Sequence, residues 1–438
     1  MTLKLEKIIK KFKEFWSKLP DKRKKSNRTT YTMSDAAMSA FAVFFMQCPS
    51  FLAFQRDMKK KKKRSNAGTL FQIENIPCNQ QVKNILDPVE ASEISGAYKW
   101  VLSELDEAGY LDEYNCLENT KPIALDGLTY HSSTKIHCDC CSTRRDNQGT
   151  VHYYHHALLA VITKPDCPHV LALPPEFIKP QDGHEKQDCE REATKRWLTK
   201  HDDLFEPFTV TYLGDDLYSN HPLCQQIAKI SKQYFVFVCK PDSHTTLYEE
   251  VALLEKIDGV ETKKIRVWNG KDHDLWTYRW TTHLPLRAGA DALYVNWCEL
   301  NITNEKSGER VFMNAWVTNH FLTSENVALI CKTGRARWKV ENEAINVLKT
   351  QGYHLEHNFG HGHQHLATTL FAINLLAFLV HTALHLAHAV YRLLRHELGP
   401  RRTFFGDLDS LTRYHIFSSW SHLFDFMLDG LDIEPVPT

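Results

Sequence analysis

The sequence predicts an α/β protein: a mixed sheet carrying a β-rich insertion, set between a helical N-terminal region and a helical C-terminal part. Three observations lead there. Short apolar runs at 122–125, 153–163 and 170–173 precede β-branched runs at 208–213 and 234–239, which alternate with helical segments at 181–200 and 221–231. Strands first in succession and then alternating with helices make a mixed sheet. Residues 263–321 are rich in Val, Thr, Trp and Tyr, with turn signals at Asn269-Gly270, Gly289 and Ser307-Gly308, and so read as further β structure. The texture on either side is helical.

Taken in order, residues 1–20 alternate charged and apolar side chains as an amphipathic helix does, and nothing there resembles the apolar centre of a secretory signal. Ser34 is the expected N-cap of a helix over 36–45. The basic run Lys59, Lys60, Lys61, Lys62, Lys63, Arg64 interrupts before helix resumes over 72–86 and again over 90–111. Two of the apolar strands, 122–125 and 208–213, end at Asp126 and Asp215 on this reading. After the insertion, residues 324–394 are mostly helical, broken at Gly334 and by the glycine and histidine loop 357–365. The divisions that follow are 1–120, 121–245, 246–323, 324–395 and 396–438. No internal repeat is visible.

A chain of 438 residues is long enough for two or three packed units. Its 53 basic and 53 acidic residues cancel, but residues 1–80 hold 18 basic against six acidic side chains. A basic arm on an acidic body suits a polyanion partner and a body that gathers carboxylates. The scattered cysteines, 12 in all, read as reduced thiols of a cytoplasmic protein. The apolar stretch 366–380 is too short to span a bilayer and reads as a buried core helix, so no membrane partner is expected.

The chemistry rests on acids at the ends of apolar elements. Asp126 closes Ala124-Leu125-Asp126-Gly127, Asp215 follows Tyr212-Leu213-Gly214, and Glu341 follows Arg335-Ala336-Arg337-Trp338-Lys339-Val340 on a helix. Phosphodiester cleavage with two metal ions about 3.5–4 Å apart needs several carboxylates aimed at one point. Strand-end aspartates facing a helix can supply them, although an isolated strand-end Asp is more often a turn former.

These residues also carry a resemblance. Asp215-Asp216-Leu217-Tyr218 is similar to the D-x-x-Y around the second aspartate of DDE-type bacterial insertion-sequence transposases. Arg337-Trp338-Lys339-Val340-Glu341 is similar to the R-W-x-(I/V)-E that carries their final glutamate. The resemblance, closest to the IS-four branch and covering roughly residues 120–380, implies an RNase H-like core with a β-rich insertion before that glutamate. It implies cut-and-paste transposition, with Asp126, Asp215 and Glu341 holding two Mg2+ (or Mn2+) ions. The DNA partners would be terminal inverted repeats and target DNA, bound by a homodimer in a cytoplasmic, nucleoid-associated setting. Arg337 would hold a DNA phosphate, and Trp316 of Trp316-Val317-Thr318 would stack on a flipped base. The basic run Lys59–Arg64 would grip phosphates.

The chain departs from the family pattern twice. Gly334 stands where the family has a tyrosine three residues before the arginine, and Leu348 stands where it has a lysine seven residues after the glutamate. Lys349 is next. On a regular α-helix, at about 100° per residue, that extra step puts Lys349 about 80° from the Glu341 face instead of about 20°.

Other clusters carry less. His131, His137, Cys138, Cys140 and Cys141 include zinc-type ligands, but no second Cys pair follows at finger spacing, and a packed loop is the expected reading. His381, His385 and His388 share a helical face among leucines and read as core or rim histidines, while His357, His361, His363 and His365 contact DNA or solvent. Two alternative functions stay open: a transposase-derived DNA-binding protein without catalysis, and a metal-binding helical enzyme built on the C-terminal histidines.

Overall fold

The computed structural model describes residues 3–24, 29–58, 65–180, 190–205 and 208–434. The basic run Lys59–Arg64 lies outside these, as do residues 181–189. Eleven strands form one mixed sheet among the described residues. They are β1 (Lys121–Ser133), β2 (Ser142–Arg145), β3 (Val151–Ile162), β4 (Leu171–Ala172), β5 (Glu176–Ile178), β6 (Val210–Gly214), β7 (Gln233–Val238), β8 (Glu261–Trp268), β9 (His273–Pro285), β10 (Tyr294–Asn304) and β11 (Arg310–Thr318).

The central order is β3-β1-β6-β7, with β2, β4 and β5 all on the outer edge of β3. β1 and β3 are antiparallel, whereas β1, β6 and β7 run parallel. β6 is buried along its whole length, as a parallel strand covered on both faces must be. The insertion continues this sheet instead of standing apart from it: β11 pairs antiparallel with β7, and β10, β9 and β8 follow as a meander. β8 ends the sheet with alternating exposed residues, including Lys264 and Arg266, which discourage pairing with another chain.

A helical run from Val327 to Thr350 lies across β7, β6, β1 and β3. Behind it stands the helix Leu366–Ala387. At 22 residues it is long enough to cross a bilayer, which corrects the shorter reading from sequence, but 89% of its apolar window is buried inside the protein.

The N-terminal region is not a separate module. Its central helix, Met33–Phe45, is buried at every position and packs on Leu366–Ala387. Thr32, not Ser34, caps it, through a reciprocal box with Asp35. Gln72 is left-handed (φ 54°) and ends a helix over Asn66–Phe71, so the helix expected over 72–86 is confined to Asn79–Leu86. The C-terminal helices complete this body. The Trp420 ring meets those of Phe45 and Phe71, and the Asn66 side chain donates to the Thr412 and His415 carbonyls.

Asp87 ties the two ends together. Its Oδ1 accepts from the backbone amides of His363 (3.1 Å), Gln364 (3.0 Å) and Leu366 (3.2 Å), at the entry to the long core helix. A carboxylate that satisfies several otherwise orphaned amides is a strong acceptor, each such bond contributing about 1.5–3 kcal/mol. Asp87→Ala should therefore cost at least about 2 kcal/mol in urea unfolding, with Asp87→Asn intermediate. A loss below about 0.5 kcal/mol, the range of an ordinary surface substitution, would show that the cap is dispensable.

Candidate active site

β1 and β6 pair in register from Lys121 with Val210 to Ala124 with Leu213. Two residues further along the same register, Asp126 comes abreast of Asp215. Parallel neighbours are about 4.8 Å apart, so one register brings both acids to the point where the strands part. β1 does not end there: it runs on to Ser133 paired with β3, which places Asp126 inside a strand instead of at its end. In open α/β sheets the crevice at the carboxyl ends of parallel strands, where the order switches sides, is the natural ligand site.

The loop after β6 holds its acids apart. Asp215 Oδ1 accepts from Leu217 N at 2.8 Å and stays on the site side. Asp216 turns away: it accepts from Lys240 N (2.7 Å) and Ser243 Oγ (2.5 Å) and lies 3.7 Å from His244 Nε2. Gly214 is needed just before them, because a Cβ there would come within 2.7 Å of the Tyr218 ring, which folds back over it.

Glu341 arrives on the helical run, which changes pitch as it crosses the sheet: α over Val327–Arg335, 3-10 over Ala336–Trp338, π over Val340–Ile345 and α again over Asn346–Thr350. Arg337 Nη1 lies between Glu341 Oε1 (3.3 Å) and Asp126 Oδ2 (3.6 Å). The π segment accommodates one residue more than an α-helix would over the same rotation, which sets the following face back by about 100°. Lys349 thereby returns to about 20° from the Glu341 face, and Leu348 turns into the core, where it is fully buried. Lys349 itself pairs with Glu356 at 3.0 Å.

A fourth acid joins the group. Glu190, in the first turn of the helix Glu190–Lys200, accepts from the Tyr218 hydroxyl and lies 3.9 Å from His156 Nε2. A Cβ on Gly127 would collide with it, so the residue after Asp126 must be glycine for Glu190 to sit there. Burial is the main force lifting the Asp126 carboxyl to about 7, with Glu341 and Glu190 adding repulsion and Arg337 opposing it. Burial also raises Asp215.

Trp316 requires a correction. It lies on β11 opposite Val238 of β7, fully buried, and cannot offer its face to a base in this structure. A Cβ at Gly334 would come within 2.6 Å of its indole Nε1, so the same packing requires glycine at position 334. The histidines on the core helix do not converge either. His381 Nδ1 bonds the Tyr353 hydroxyl, His385 stacks on His169, and His388 caps the next helix. Among the described residues one set of three or more ligand side chains brings its donor atoms within 4.8 Å of one another: Cys138, Cys141, His155 and His361. The carboxylates at the site spread more widely, and Cys140 and His131 fall outside the cluster. No protein-family model matches the chain, and no curated protein matches it.

Two outcomes follow. Between its ordinary value near 3.8 and about 7, folded Asp126 keeps a proton that the unfolded chain has lost, so rising pH favours unfolding across that window. In chelator, Asp126→Asn should then raise Tm more at pH 8 than at pH 5, and an equal gain at both would remove the carboxylate crowding. Trp316→Ala should cost about 3–5 kcal/mol as a core deletion, and a variant as stable as the parent would restore the stacking role.

Proposed function

We propose that the protein is a DNA transposase of the DDE type, cutting and rejoining DNA at a site formed by Asp126, Asp215 and Glu341. The observation that carries this reading is the register of β1 against β6, which aligns two aspartates from adjacent strands beneath the helix that bears Glu341. The order and polarity of the central sheet, with antiparallel strands outside β1 and parallel β6 and β7 inside, are those an RNase H-like core requires and support the same reading. The motif residues and their spacing supply the rest.

The donor set fits hard cations. Carboxylate oxygens are the ligands that Mg2+ or Mn2+ takes up, and an acid group gathered by burial and repulsion gains most from a divalent charge. A bound metal pair would supply an activated water and stabilise the leaving oxygen. The chain's own residues do the positioning. Asp126 and Asp215 are held by adjacent strands, and the Asx-type bond from Leu217 fixes the second carboxylate. The Tyr218 hydroxyl and His156 orient Glu190 behind them. Arg337 lies between Asp126 and Glu341 in the free protein and is placed to turn its fork to a phosphate when DNA enters. Lys349, returned to that side by the π segment, is the first cation after Glu341 along the helix. The proposed partners are the element's terminal repeats and target DNA, held by a DNA-bridged homodimer.

Asp126→Ala, Asp215→Ala and Glu341→Ala should each lower cleavage of an element end by roughly 10⁴-fold or more, with double variants little worse than single ones. Binding of the DNA end, measured by mobility shift, should persist. Asp216→Asn should keep cleavage, since that carboxylate faces the Lys240 loop. Full cleavage by Asp126→Ala would remove Asp126 from the catalytic site and overturn this assignment.

A further inference from the structure

We infer that Cys138, Cys141, His155 and His361 form a structural zinc site that fastens the catalytic sheet to the chain leaving the Glu341 helix. The distances are those of a tetrahedron's edges. With Zn–S about 2.3 Å and Zn–N about 2.0–2.1 Å, tetrahedral ligands stand about 3.8 Å apart for two sulfurs, about 3.6 Å for sulfur and nitrogen, and about 3.3 Å for two nitrogens. The two Sγ atoms are 3.9 Å apart. His155 Nε2 lies 3.7 Å from Cys138 Sγ and 3.5 Å from Cys141 Sγ, and His361 Nε2 lies 3.4 Å from Cys141 Sγ. The two Nε2 atoms are 3.0 Å apart.

The surroundings prepare the ligands. Cys141 N donates to the Cys138 carbonyl at 3.0 Å, closing the Cys-x-x-Cys segment into a turn that points both thiols the same way. His361 Nδ1 lies 2.9 Å from the Gly362 carbonyl, which requires the proton on Nδ1 and leaves Nε2 with a bare lone pair aimed at the other three. Cys141, His155 and His361 are buried and Cys138 half-buried. A divalent ion with two thiolates and two neutral imidazoles makes a neutral centre, which tolerates burial. Binding would release the two thiol protons to solvent and change no oxidation state. Four protein ligands fill the coordination sphere, so the role is structural and leaves no open position for catalysis.

The three segments joined are the turn between β1 and β2, the strand β3, and the loop that leads into Leu366–Ala387. The ion would therefore bridge parts of the chain 206 and 220 residues apart, beside the sheet that carries Asp126.

The test is metal content and spectroscopy on the full chain. Protein purified without chelator should carry one equivalent of zinc by mass spectrometry. Replacement by Co2+ should give the intense visible bands of a tetrahedral ion and a thiolate charge-transfer band. Cys138→Ser and His361→Ala should lose the metal, while Cys140→Ser, one residue from a ligand, should keep it. Should the ligand variants fail to fold, titrating the parent's zinc with a chromophoric chelator still decides. Removal should lower Tm, and Zn2+ but not Mg2+ should restore it. Parent protein without zinc and without a tetrahedral Co2+ spectrum overturns the site, as does a Cys138–Cys141 disulfide in freshly purified protein or equal loss of metal from Cys140→Ser.

Discussion

The parallel pairing of β1 with β6 is the constraint on which the rest depends. Shifting it by one residue would move every side chain of β6 to the opposite face and carry Asp215 away from Asp126. The close packing of Ile123, Leu125, Tyr212 and Leu213, all fully buried, opposes that slip. The hydrophobic core, in other words, sets the geometry of the acids. Gly127 and Gly214 serve the same end, since each is the residue that lets a neighbouring side chain close over an aspartate.

Around that pair the helix bearing Glu341 had to be fitted, and its irregularity records the fit. A straight α-helix from Val327 to Thr350 would keep one stripe against the sheet throughout. The changes of pitch let Gly334 meet Trp316, let Arg337 reach two carboxylates, and let Leu348 and Lys349 exchange faces. The extra residue of the π segment is thus absorbed locally. The cost is a stretch of weaker helix at the place where the acid is presented.

Much of this was legible in the sequence, because strands and helices announce themselves by period, and Asp126, Asp215 and Glu341 sit in recognisable local contexts. What escaped did so for physical reasons. Glu190 lies in a polar run crowded with acids, and nothing local distinguishes the one that folds towards Tyr218. The Cys138 and Cys141 pair was visible, but its other half consists of two histidines 14 and 220 residues further on, brought in by the sheet and by the Asp87 contact. Trp316 was given a base-stacking role by the resemblance alone, because no local pattern tells a stacking tryptophan from a core one. Its pairing with β7 instead makes it part of the central core. The N-terminal helices likewise looked self-contained, since no sequence pattern reveals that Met33–Phe45 needs a partner more than 300 residues away.

That last arrangement bears on how the protein is made. Met33–Phe45 is buried on every side and is fully covered only when Leu366–Ala387 has been synthesised. At about 5–20 residues per second, the ribosome needs on the order of tens of seconds to deliver that partner. For that interval the nascent chain carries an uncovered greasy segment, and it is then that a holding chaperone or a slow, cool expression regime has the most to contribute.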